Sequence, residues 1–98
     1  MRKLAELFER VEGVTAQGGR AVSYESLGFV WIAPGAVKRS VRGGGEGPVE
    51  ALSLTAECRA DGRLSEGRRL RLDGADWRIG LVDEAAPGRA RLNLERER

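Results

Sequence analysis

Polar and apolar residues alternate from Arg20 to Ser26, with Val22 and Tyr24 on one face and Ser23 and Glu25 on the other. Period two is the mark of a strand with one covered face. Gly28 breaks or bulges that strand, and Phe29 to Ile32 is apolar on both faces, the pattern of a piece covered on both sides. Gly18-Gly19 precedes it, so the pair reads as a turn feeding a hairpin whose second arm enters a sheet core. Nothing in this stretch supplies a nucleophile, a base or a metal ligand.

The rest of the chain extends the pattern. Leu4, Leu7, Phe8 and Val11 have helical spacing, so the pattern predicts a short N-terminal helix or irregular start, then a strand from Phe8 to Thr15. Residues 37–48 hold Lys38, Arg39, Arg42, Gly43, Gly44, Gly45 and Glu46; glycine at this density is costly to order, which predicts a long mobile loop. A long strand follows over Pro48–Arg59, with Leu52, Leu54, Ala56 and Cys58 inward. Leu70 and Leu72 face in from a further strand, Asp73-Gly74 is a two-residue hairpin signal, and Trp77, Ile79 and Leu81 share one face of the return. Pro87-Gly88 turns the chain into a last strand carrying Ala90, Leu92 and Leu94 inward, and residues 95–98 are expected to fray. Six or seven mainly antiparallel strands with closely spaced turns predict an all-β barrel or sandwich. The predicted core is Val22, Tyr24, Phe29, Trp31, Leu54, Leu70, Leu72, Trp77, Ile79, Leu92 and Leu94.

Length confines this to one domain, residues 1–98, with modest burial. One cysteine excludes an internal disulfide. Without histidine, a Ser-His-Asp triad and a structural zinc site within one chain are excluded as well, and no cofactor is expected. The net charge of +2 is weak for a dedicated DNA binder. No apolar run approaches the roughly 20 residues that cross a bilayer, and none follows the basic Met1-Arg2-Lys3, so synthesis in the cytosol and no membrane are expected.

Each candidate for chemistry has a plainer role. Cys58 lies on an inward face and packs as a small hydrophobe. Asp61, Asp73, Asp76, Asp83 and Glu84 stand beside glycines or at strand ends, where turns favour them, so no catalytic dyad is assigned. Trp31 and Trp77 could stack on bases, but both sit among Ile, Val and Leu, which favours the core. The glycine run lacks the Gly-Lys-Ser/Thr ending of a phosphate-binding loop; two readings stay open for it, a flexible loop or a segment that orders in an assembly. Arg59, Arg63, Arg68, Arg69 and Arg71 form the densest basic cluster, read as a solvated face, a polar protein surface or, third, a phosphate contact.

The order of these motifs resembles the phage head-tail adaptor family, also called head-closure or stopper proteins, including the gene transfer agent versions. The resemblance begins at Arg10-Val11 and passes through Gly18-Gly19 and Val22-Ser23-Tyr24-Glu25-Ser26-Leu27-Gly28-Phe29-Val30-Trp31. It continues through Leu54-Thr55-Ala56-Glu57-Cys58-Arg59 and Gly67-Arg68-Arg69-Leu70-Arg71-Leu72-Asp73-Gly74-Ala75-Asp76-Trp77-Arg78-Ile79. It implies a non-enzymatic neck protein, made in the bacterial cytoplasm and carried in a virion or phage-like particle. The implied form is a ring, of six copies, docked beneath a portal or adaptor protein. Such a ring closes the DNA-filled head, receives a tail terminator or tail tube, and lets double-stranded DNA pass without sequence recognition. Within it, Lys38 to Glu46 would contact a neighbouring subunit or line the channel. The alternatives are a nucleic-acid-binding β-barrel and a tail-terminator or baseplate adaptor.

Overall fold

A computed structural model describes residues 1–44 and 47–97. It contains seven strands: β1 (Lys3–Val14), β2 (Arg20–Pro34), β3 (Lys38–Gly44), β4 (Gly47–Arg59), β5 (Arg69–Leu72), β6 (Ala75–Ala86) and β7 (Arg89–Glu97). All pairings are antiparallel, in the order β2-β1-β5-β6-β7-β4-β3. A further pairing of Ile32–Pro34 with Ala56–Cys58 joins β2 to β4. Six strands therefore close into a barrel, with β3 added beside the first half of β4. Within the barrel, closure pairs the edges that would otherwise invite uncontrolled association.

The core follows period two. Leu7, Ile32, Leu70, Ile79, Leu92 and Leu94 are fully buried, with Leu54, Leu72, Cys58 and Trp77 packed among them. The Asp73-Gly74 turn joins β5 to β6 with φ of 52° and 77°, the left-handed pair that suits a tight hairpin. Lys3 ties this turn to β1 by an ion pair of 2.6 Å to Asp73.

Two hairpins extend beyond the barrel. Glu9–Val14 of β1 pair only with Arg20–Glu25 of β2, and β3 pairs only with β4. Their side chains are mostly exposed, Val14, Val22, Val41 and Val49 among them. The radius of gyration, 15.1 Å, exceeds the about 13 Å of a compact domain of this length, as the arms require.

Several expectations are corrected. The N-terminal segment is strand, not helix: Ala5 and Leu7 face the core, while Leu4 is exposed and Phe8 half-buried. The expected loop over 37–48 contains β3 and the start of β4, whose ladder from Lys38↔Ser53 to Gly44↔Gly47 compensates the cost of ordering glycine. Gly45 and Glu46 lie outside the described residues. Glu95 and Arg96, expected to fray, are in β7 and pair with Ser53 and Leu52; Glu95 also meets Arg78 at 2.8 Å. Arg98 lies outside the described residues. Leu81 points outward because the β6–β7 register slips between Ile79 and Leu81, and Val82 packs against the core instead.

The largest correction concerns β2. Val22, Tyr24, Phe29 and Trp31 share one face, brought together by a bulge at Leu27 although their spacing alone would split them, and that face is the outside. Val30 and Ile32 are the residues that enter the core.

Candidate functional site

The outward placement of Phe29 and Trp31 has a local cause. Leu7 pairs with Gly28 and Phe8 with Ser26, which leaves Leu27 as an extra residue in β2. This is a β-bulge, and it reverses which residues point inward. Gly28 holds φ at +102°, a conformation side-chain-bearing residues rarely adopt.

Arg63, in the β4–β5 connection, clamps the bulge. Its Nη1 donates to the Leu27 carbonyl at 2.6 Å and its Nη2 to the Phe29 carbonyl at 3.3 Å. Asp61 orients the guanidinium, accepting from Nε at 3.1 Å and from Nη2 at 2.7 Å, and it also accepts the Arg63 backbone N–H at 2.9 Å. Arg68 in turn donates through Nη1 to the Arg63 carbonyl. The hydrogen bonds from Arg63 hold the Asp61 carboxyl below the usual carboxylate range, and Asp61 raises the Arg63 pKa.

This pair should stabilise the fold above the unfolded carboxylate pKa of about 3.9 and lose that contribution as pH falls through the lower folded value. Urea midpoints of the wild type and Asp61→Asn are therefore expected to differ near neutrality and to converge from about pH 4 downward. Parallel curves across that range would contradict the clamp.

Beside the bulge, Trp31 is 60% and Phe29 57% exposed, with Leu4 paired to Trp31 on the same outer face. Trp31 and Phe29 border a groove of about 420 Å³ between the end of β2, the end of β4 and the Asp61–Arg63 connection. Arg2, Arg59 and Arg89 also line it. Arg59 and Arg89 are direct cross-strand partners in the β4–β7 ladder. Like charges placed opposite one another destabilise a sheet.

The remaining candidate arginines have intramolecular roles. Arg69 lies over the Tyr24 ring at 3.9 Å, and Arg71 over Phe8 at 4.8 Å. Both also pair with Asp76, at 3.7 Å and 2.9 Å. Arg68 pairs with Glu9 at 3.9 Å. Of the predicted basic cluster, only Arg59 has no ion pair among the described residues. Lys38 and Arg39 stand on β3, Arg39 within 3.8 Å of Glu50. Arg42, Gly43 and Gly44 continue that strand opposite Val49, Pro48 and Gly47.

Cys58 is buried, and that burial pushes its thiol pKa up, as befits a packing residue. No cluster of three or more His, Cys, Asp or Glu side chains that could hold a metal ion occurs among the described residues. Arg2 and Arg89 escaped the sequence analysis, because their convergence on Arg59 exists only once β4, β7 and the N-terminus are brought together. What the site offers is binding: aromatic surface, unpaired cations and a shallow groove.

No family model matches this chain, and no curated protein matches it closely. A chain in a solved structure described as "Virion of native gene transfer agent (GTA) particle" superposes with a TM-score of 0.77 at 24% identity, over 98% of this chain and 94% of that one. The six-stranded barrel with its two arms is thus a fold that a chain of that particle shares nearly end to end.

Proposed function

We propose that this chain is a non-enzymatic structural subunit of a phage-like particle, acting as a ring at the head-tail junction. The observation that carries the proposal is the likeness to a chain of the gene transfer agent virion over almost the whole of both chains. The architecture is suited to it. A closed barrel provides a rigid body, and the projecting arms β1–β2 and β3–β4 provide reach toward neighbours. In the ring, six copies would sit beneath a portal or adaptor protein and above a tail terminator or tail tube. The β3–β4 arm, with Lys38, Arg39 and Arg42, would meet an adjacent ring or face the DNA channel. Most described arginines are already matched to carboxylates or rings, which suits passage of DNA better than its capture.

Electron cryomicroscopy of particles from a producing strain, with this chain tagged, is the test. The expected result is tagged density as a ring between head and tail, and DNA-leaking, tailless heads when the gene is deleted. Purified particles that lack the chain, or carry it only in the shell, would refute the proposed role.

A further inference from the structure

The groove beside Trp31 is electrostatically unfinished. Arg59 and Arg89 face one another across the β4–β7 ladder, Arg2 joins them, and none of the three has an ion pair among the described residues. The carboxylates at the groove are already engaged, Glu57 with Arg91 at 3.5 Å and Asp61 with Arg63 at 2.7 Å. Exposed tryptophan beside arginine is the composition that concentrates binding energy in protein interfaces. The apolar rings favour a protein segment with an apolar anchor over a bare phosphate.

The same chain carries a complement. β5 ends its pairing with β6 at Arg69↔Arg78, and the connection before it reaches only Ile79, whose N–H donates to the Arg68 carbonyl. From Leu81 to Ala86, β6 pairs with β7 alone, so its other edge is open among the described strands. That edge presents exposed Leu81, Asp83 and Glu84; Asp83 stands opposite Arg91 in the ladder, and neither carboxylate forms an ion pair among the described residues. An open edge of this kind is a template for association.

The two surfaces open on different seams of the barrel. Around the six-stranded barrel, β4, β7 and β6 separate the β2–β4 seam, where the groove lies, from the β6–β5 seam, where the edge opens. The pairings Arg59↔Arg89 and Ala86↔Arg89 put both surfaces at one end of the barrel. A patch that meets a different, complementary patch on the next copy makes a head-to-tail contact, the kind that can close into a ring.

We propose that the Trp31 groove of one copy receives the Leu81–Glu84 edge of the next, with Asp83 and Glu84 answering Arg59 and Arg89. This rests on the proposed role as a ring subunit and names the surfaces that would build the ring.

Charge reversal of the concentrated full-length chain tests it, read by sedimentation velocity. Arg59→Glu with Arg89→Glu, and separately Asp83→Arg with Glu84→Arg, are each expected to weaken self-association by on the order of tenfold. Mixing the two variants is expected to restore it, since each then meets an opposite charge. As a second readout, a tagged Arg89→Cys chain and an untagged Asp83→Cys chain, oxidised together, are expected to give a mixed disulfide dimer well above the Arg20→Cys control. Association untouched by both reversals, or a mixed dimer no more abundant than the control, overturns these surfaces. Neither result touches the ring itself, which stands or falls on imaging of the particle.

Discussion

Replacing Trp77 by alanine is expected to cost about 3–5 kcal/mol, the range for removing a large buried aromatic from a close-packed core. Trp77 is only 5% exposed, sits opposite Leu70 in the β5–β6 ladder and has Arg96 over its ring at 5.5 Å. A domain of this length has only about 5–15 kcal/mol of stability in total, so the loss would unfold a large fraction of the protein at moderate urea. The two tryptophans also make the test specific. Trp31 is exposed and Trp77 buried, so Trp31→Phe should leave emission that aqueous quenchers barely reach, while Trp77→Phe should leave readily quenched emission. An unchanged urea midpoint in Trp77→Ala, or equal quenching of the two single-tryptophan variants, would contradict the assigned packing.

The fold class was legible because a covered strand declares itself by period two. Leu54, Leu70, Leu72, Trp77, Ile79, Leu92 and Leu94 all occupy the core that their spacing implies. Spacing alone says which residues share a face, and it is silent on which face is covered. On β2 the aromatic face carried more apolar bulk than Val30 and Ile32, yet those smaller residues fill the barrel. A six-stranded barrel has a narrow interior, better suited to Val, Ile, Leu and Ala than to a second tryptophan. The arm over 37–48 was illegible for another reason. Its stability as strand comes from the ladder with Val49–Ser53, a partner that composition does not reveal. The candidate surface was half legible. Arg59 stood out in a basic cluster, but its pairing with Arg89 and the occupation of Arg63, Arg68, Arg69 and Arg71 are consequences of register.

Register in β2 depends on one glycine, and Gly28→Ala is expected to be among the most damaging single-methyl changes in this chain. Two costs combine. At φ +102° a side-chain-bearing residue is strained by about 1–3 kcal/mol. The added Cβ would also stand 2.9 Å from Nη1 of Arg63. That guanidinium can swing away only by giving up its bond to the Leu27 carbonyl. The substitution should therefore cost at least its backbone strain of about 1–3 kcal/mol and loosen the strand that presents Phe29 and Trp31. The two costs separate in a double-mutant cycle. In an Arg63→Ala background the methyl meets no guanidinium, so Gly28→Ala should cost only its backbone strain, leaving a non-zero interaction energy between the sites. Strict additivity of the two substitutions in urea unfolding would mean that Arg63 does not clamp the bulge. A destabilisation below about 1 kcal/mol for Gly28→Ala alone would mean that β2 reaches its outward-facing aromatics without the left-handed residue.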